Sequence, residues 1–261
     1  MSQVAPIIET RDLSKIYGRF SALQGLNLSV PQGSVFALMG ANGAGKTTVI
    51  KLLLNMISPT RGRTTVLGVE SRAMSPAILQ NIGYVSENQV LPLRLRVADF
   101  FAYLRPLYRR WDRTLEDELR AQFFLPAKRK IGELSHGMRM KMALACALPF
   151  RPKLLVLDEP LSGLDPLARD ELIGGFMGQA HETTILISSH ELDEVERFAT
   201  HVAFLHEGRL LFQGSVAALA EHARSLFETE GLQRAERPSL REIFVAMLRA
   251  ARKTSKESSL Q

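Results

Sequence analysis

Short apolar blocks at residues 34–38, 154–157, 184–188 and 202–206 break an otherwise mixed chain. Each is too short for a helix and predicts a buried strand. Residues 209–212 add another strand, and residues 7–30 predict strands joined by turns, with Leu26, Leu28 and Val30 in alternation. Elsewhere the spacing is helical. Val49, Leu52, Leu53 and Met56 fall on one side of a helix predicted over residues 45–55. Leu115, Leu119 and Phe123 do the same over 112–124, within a stretch of mostly helical pattern from 88 to 150 that Pro92, Pro106 and Pro126 punctuate. Ile243, Phe244, Met247 and Leu248 predict an amphipathic helix over 239–252. The polar residues 253–261 predict disorder. No segment repeats in tandem. Strands interleaved with helices predict an α/β fold.

The first block changes the picture most. It runs directly into Gly40-Ala-Asn-Gly-Ala-Gly45-Lys46-Thr47-Thr48 and then into the predicted helix. A glycine-rich loop between a strand and a helix is the setting a P-loop requires. Glycines let the backbone turn tightly and bring N–H groups close to an anion. The helix start adds unpaired donors and partial positive charge. Gly40, Asn42, Gly43, Ala44, Gly45, Lys46, Thr47 and Thr48 are therefore the candidate nucleotide contacts. Lys46 has the reach for the β- and γ-phosphates, and the Thr47 hydroxyl is a candidate Mg²⁺ ligand. The block at 154–157 ends in Asp158, a candidate for the Mg²⁺ shell, and Glu159, placed to polarise an attacking water.

Three further motifs follow the same order: Leu134-Ser135-His136-Gly137-Met138, Ser162-Gly163-Leu164-Asp165 and Ser189-His190. Together with the P-loop and the acidic strand end they resemble the ATP-binding-cassette ATPases, the motor subunits of ABC transporters, over residues 7–215. The resemblance implies a P-loop NTPase core with a mixed sheet, an antiparallel β subdomain and a helical subdomain carrying the signature. It implies that two cassettes pair head to tail, each ATP lying between one P-loop and the partner's signature. Ser135 and Gly137 would then contact nucleotide held by the other chain. His190 matches the family's switch histidine, Asp165 its dimer-contact loop, and Tyr17 its adenine-stacking aromatic, with an ordinary strand aromatic as the rival reading. The family usually has Gln at the loop joining its two subdomains; here Ile82-Gly-Tyr84-Val-Ser-Glu87 puts Glu87 at that place, with Gln89 two positions later. Glu87 is a candidate ligand of Mg²⁺ or water there. His136 and Met138 replace the usual Gly and Gln of the signature. His136 is either a tolerated surface variant or a pH sensor. A Tyr-x-x-Glu loop and a Leu-Ser-x-Gly-Met signature resemble exporter-associated members.

Composition adds limits. With 261 residues, 46% of them hydrophobic, the chain can bury one sizeable core plus an appendage. A single Cys146 excludes an intrachain disulfide, and its apolar setting marks it as a buried thiol in a reducing compartment. No apolar run is long enough to span a bilayer and no signal-peptide pattern is visible, so any membrane-spanning part is expected on another polypeptide. The net charge of +6 concentrates at residues 105–141, net +5, and 234–261, net +4. Such segments favour anionic surfaces or form solvated helix faces. No nucleic-acid module is recognisable.

The resulting expectation is a cassette domain over residues 1–220, its helical subdomain at about 88–150, and a C-terminal helical extension with a polar tail over 221–261. Its cofactors would be ATP and Mg²⁺, and its activity ATP hydrolysis. Its partners would be an integral membrane permease, contacted around Glu87, and a second cassette, identical or not, at the cytoplasmic face of the membrane. Nucleic acid is not an expected partner. The alternative is a soluble cassette ATPase acting on ribosomes or nucleic acid. Those chains commonly carry two cassettes or a coiled-coil insertion, and neither is visible here. A GTPase is disfavoured by the lack of an Asn-Lys-x-Asp motif.

Overall fold

The computed structural model describes residues 5–230 and 238–258. It opens with β1 (Ile8–Tyr17), β2 (Phe20–Leu26), β3 (Ser29–Val30), β4 (Val35–Met39), α1 (Lys46–Leu53), β5 (Arg61–Val66) and β6 (Val69–Glu70). There follow α2 (Pro76–Leu79), β7 (Ile82–Ser86), α3 (Val97–Leu104), α4 (Arg113–Gln122), α5 (His136–Ala147), β8 (Leu154–Asp158), α6 (Pro166–Met177) and β9 (Thr184–Ser189). The chain continues through α7 (Leu192–Val195), β10 (His201–His206), β11 (Arg209–Ser215), α8 (Val216–Glu230) and α9 (Leu240–Ser258). It divides into two compact units: one takes in the chain up to Arg72 and from Ser188 onward, the other Ala73–Ile187.

In the first unit, β1 pairs antiparallel with β2, β3 and β5. Its inward face carries Ile8, Leu13, Leu26, Leu28, Val30 and Val66, all buried. Thr10 is buried among them because its hydroxyl is fully used: it donates to the Leu26 carbonyl and accepts from the Leu28 N–H, both at 2.8 Å. A second sheet pairs β4 in parallel with β10, Ala37 opposite Val202, while β11 returns antiparallel. All five residues of β4 are buried, as the unbroken apolar run requires of a strand covered on both faces. The C-terminal helix α9 buries Leu240, Ile243, Phe244, Ala246 and Met247, with the Phe244 ring 5.0 Å from that of Phe204.

In the second unit, β7 and β8 run parallel with Ile82 opposite Leu154 and Ser86 opposite Asp158, and β9 lies beside β8. Helices α3–α6 supply Phe101, Leu119, Phe123, Leu144 and Phe176 to the core. A Cβ on Gly175 would overlap the Phe123 ring, so α6 accepts a poor helix former to let that ring in. Glu116 is buried and serves as a polar knot. Its carboxylate accepts from Arg105 Nε and Nη2 at 2.8 and 2.6 Å, Trp111 Nε1 at 2.8 Å and Arg120 Nη1 at 3.3 Å. Asp112 caps α4 by accepting the Leu115 N–H at 3.0 Å and pairs with Arg151 at 2.8 Å. Part of the basic surplus predicted for solvated faces is therefore structural. Burial pushes the Cys146 thiol far up, with the Glu116 charge adding to it, as an inert buried thiol requires.

Three expectations need correction. Met56 does not share the buried side of α1: the helix stops at Leu53, Asn55 takes a left-handed φ of 55°, and Met56 is half exposed. Residues 82–86, absent from the predicted strands, form a largely buried strand, and Glu87 comes just past its end. Helix α9 continues to Ser258 instead of ending near 252, because Ala250, Ala251, Arg252 and Lys253 are good helix formers. The end of the polar tail, 259–261, and the charged residues at 234, 236 and 237 lie outside the described residues.

Candidate functional site

The phosphate cradle is built at the end of β4. A Cβ on Gly40 would overlap the Leu205 carbonyl oxygen, so the loop passes against β10 where no side chain fits. Gly43 and Gly45 have φ of 82° and 108°, a backbone that side chains other than glycine's rarely allow. Gly45 is the N-cap of α1, has no side-chain cap and is followed by no acid in the first turn. Among the described residues the Asn42, Gly43 and Gly45 N–H groups donate to no backbone carbonyl. Lys46 is buried, and its ammonium donates to the carbonyls of Gly40 at 2.7 Å and Ala41 at 3.2 Å. The loop thus holds its own cation among open N–H donors, which is the donor set a polyphosphate needs. Ala44 is buried, Thr48 half-buried, and Thr47 exposed.

Tyr17 ends β1 in the same unit. The residue is 45% exposed, with Lys15 Nζ 5.0 Å from the ring centroid. His190 is exposed just past β9, where the Ser189 hydroxyl accepts the Glu191 N–H at 3.0 Å and closes the turn.

The acidic strand end belongs to the second unit. Asp158 is the buried last residue of β8. Glu159 follows with a φ of 51°, an uncommon conformation for a residue with a side chain and one that clusters at functional sites. The Glu87 N–H donates to the Asp158 carbonyl at 3.0 Å, which sets Glu87 beside this strand end. One Glu87 oxygen accepts the Ser162 hydroxyl at 2.9 Å. Gln89 turns back, and its side-chain oxygen accepts the Ser86 N–H at 3.4 Å. Burial raises the Tyr84 hydroxyl above its ordinary value; the Ser86 hydrogen bond opposes this and the Asp158 charge adds to it.

Thr47 and Asp158 offer the hard oxygen donors that Mg²⁺ prefers. Among the described residues no three His, Cys, Asp or Glu side chains converge to hold a metal by themselves. Thr47 and Asp158 are each by themselves the type of donor that suits an ion completed by phosphate oxygens and water.

The signature opens α5. Ser135 is exposed, and its hydroxyl caps the helix by accepting the Met138 N–H at 3.2 Å. A Cβ on Gly137 would stand 3.3 Å from Ala168 Cβ, so this glycine also keeps α5 close to the start of α6. Asp165 caps α6, accepting the Ala168 N–H at 2.9 Å ahead of Pro166. The Asp-Pro pair signals this cap in the sequence, but the reading of Asp165 as a dimer contact passed over it. His136 is not a surface variant. It is half-buried, with Nε2 3.2 Å from the Ser162 carbonyl oxygen.

A family model described as ABC transporter matches residues 23–162. The bacitracin transport ATP-binding protein BcrA of Bacillus licheniformis is 35% identical over 212 residues, covering 80% of this chain and 69% of that protein. The lantibiotic transport ATP-binding protein SrtF of Streptococcus pyogenes is 33% identical, covering 86% and 97%. The structure of an ATP-binding subunit of an ABC transporter superposes with a TM-score of 0.79 at 29% identity, over 93% of this chain and 99% of that one. A cassette solved in its ADP conformation superposes with a TM-score of 0.68 at 26% identity, covering 81% of this chain and 92% of the other. On the phosphate cradle, the acidic strand end and these matches, the chain belongs to the ABC transporter family as an ATP-hydrolysing, nucleotide-binding cassette.

Proposed function

We propose that this cassette drives export through a separate integral membrane permease, working in a pair of cassettes at the cytoplasmic face of the membrane. The observation that carries the reading is the cradle: Gly45 at φ 108°, open N–H groups, and Lys46 held by the Gly40 and Ala41 carbonyls. Support for a transport motor comes from relatives named for bacitracin and lantibiotic transport, and support for export from one named for Nod factor export. The same names weigh against the ribosome-directed alternative. Among the described residues no helix is long and apolar enough to cross a membrane.

Each residue then has a task. Gly40, Asn42, Gly43, Ala44, Gly45 and Thr48 wrap the phosphates, and Lys46 neutralises them. Tyr17 stacks on adenine. Thr47 and Asp158 would hold Mg²⁺, with Glu87 meeting it or a water through the oxygen not bonded to Ser162. When bound, the ion neutralises charge on the phosphate oxygens. Glu159 takes a proton from the attacking water, and His190 hydrogen-bonds the γ-phosphate. Ser135 and Gly137 meet the nucleotide of the partner cassette. Beyond Glu87, the exposed Val90, Leu93 and Leu95 alternate with exposed Arg94 and Arg96, an amphipathic surface suited to the permease contact.

The test is reconstitution with the permease in lipid vesicles. ATP hydrolysis that rises on addition of permease, with export of its substrate, is the expected result. Purification of the chain on ribosomes or DNA, with no response to any membrane partner, would overturn the proposal.

A further inference from the structure

Ser162 lies in the turn between β8 and α6, and two side chains from outside that turn engage it. Its hydroxyl donates to Glu87 Oε1 at 2.9 Å, and its carbonyl oxygen is 3.2 Å from His136 Nε2. A carbonyl only accepts, so this contact requires the proton on Nε2. The ring also covers Gly163: a Cβ there would stand 3.8 Å from Nε2 and 3.9 Å from Cδ2. Gly163 itself has a φ of 67°. The turn is further closed by the Ser162 N–H to the Glu159 carbonyl at 3.3 Å. Glu87 is held at the other end by its N–H to the Asp158 carbonyl. A chain of hydrogen bonds therefore runs from the first residue of α5 through Ser162 to Glu87 and the acidic strand end.

Van der Waals contact reinforces the link. The first turn of α5 meets the start of α6 where Gly137 approaches Ala168 and Leu164. The Leu164 carbonyl is fixed by Arg169 Nε at 2.9 Å. Glycine at position 136 could supply none of the polar part of this link. The imidazole therefore supplies the polar part of this link.

We propose that His136 is a positioning residue: it tethers the signature segment to the Ser162 turn and, through Ser162, to Glu87, so that the turn carrying Glu159 keeps its catalytic geometry when the signature engages nucleotide. This rests on the function proposed above. It predicts that losing the donor slows turnover more than it weakens ATP binding, because the phosphate cradle does not include His136.

The test compares His136→Phe, which keeps a ring but removes the donor, with His136→Gln, which keeps an N–H donor. Both are assayed with the permease complex, beside the parent protein. His136→Phe should lower kcat roughly fivefold, the scale of one lost hydrogen bond, while KM for ATP stays within about twofold. His136→Gln should recover most of that loss. Long-range nitrogen–proton NMR of the parent protein, at a pH where the ring is neutral, should show the Nε2–H tautomer for His136. Unchanged kcat in His136→Phe, a loss confined to KM, or the Nδ1–H tautomer would overturn the tether. If His136→Phe fails to fold, the tautomer measurement still decides. Loss of the tether leaves permease-stimulated hydrolysis by the parent intact, so its failure is separate from failure of the proposed function.

Discussion

Gly45→Ala tests the cradle most sharply, because the structure separates two costs there. The residue sits at φ 108° and ψ 2°, where a side chain is strained by about 1–3 kcal/mol. The added Cβ would also stand 2.8 Å from the Ala22 carbonyl oxygen and 2.8 Å from Leu23 Cδ2. The leucine tip can rotate away, but the carbonyl belongs to β2 and cannot, which adds about 1–3 kcal/mol of overpacking. Gly43→Ala is the internal control: its φ is 82°, yet nothing lies within 4 Å of its would-be Cβ, so only the backbone cost applies. The expected totals are about 2–6 kcal/mol for Gly45→Ala and about 1–3 kcal/mol for Gly43→Ala. At about 2–4 °C per kcal/mol for a chain of this size, Tm should fall by roughly 4–24 °C and 2–12 °C. Circular-dichroism melts measure this directly. Titration with a fluorescent ATP analogue reports the second consequence. Relief of the overlap moves the start of α1, so Gly45→Ala should weaken binding by about tenfold or more. Equal melting temperatures for the two variants, or parental nucleotide affinity in Gly45→Ala, would refute the reasoning.

Other outcomes follow from the same geometry. Glu159→Gln should bind ATP normally and turn over about a hundredfold more slowly or worse, read in a steady-state phosphate-release assay; near-normal rates would remove the proposed general base. Glu116→Gln should destabilise the chain by about 3–5 kcal/mol in urea denaturation, since it strands the Arg105 and Arg120 charges around a buried amide. Burial by itself would raise the Glu116 carboxyl, but the hydrogen bonds from Arg105 and Trp111 and the charges of Arg105 and Arg120 outweigh it and hold the group below its ordinary value. Asp112 is held low too, first by the Leu115 N–H and then by Arg151. Their stabilisation is therefore full at neutral pH and lost as pH falls through these depressed values, below about 4. Urea midpoints should fall on acidification in the parent and less steeply in Glu116→Gln; parallel curves would count against the knot.

Much of this was legible in the sequence because the informative segments are locally consistent. Unbroken apolar runs at β4, β8 and β9 announce strands buried on both faces, and the glycines of the loop announce its backbone. The stripe at Ile243, Phe244 and Met247 likewise marks the buried side of α9. Helix α6 was harder to see. Gly174 and Gly175 interrupt its propensity, and the reason for Gly175, the Phe123 ring, is a tertiary contact. Helix α8 was not delimited as an element of its own, although its alanines favour it. The Ser162 contacts join residues that are far apart in the chain, and no local pattern marks them; the Glu116 knot lies within residues 105–120, but its i,i+4 pair with Arg120 does not by itself announce a buried carboxylate. The strained Glu159 backbone is equally silent in composition, since the turn imposes it.

Mixing two inactive variants tests the shared reaction centre most directly. Lys46→Ala removes a chain's own cradle cation, and Ser135→Phe blocks the signature it would lend to a partner. Neither variant alone should hydrolyse ATP, while an equimolar mixture should regain about a quarter of the parental rate, because half of randomly paired dimers are mixed and each holds one intact site. No recovery on mixing, or full hydrolysis by Ser135→Phe alone at high dilution, would contradict a nucleotide shared between two chains.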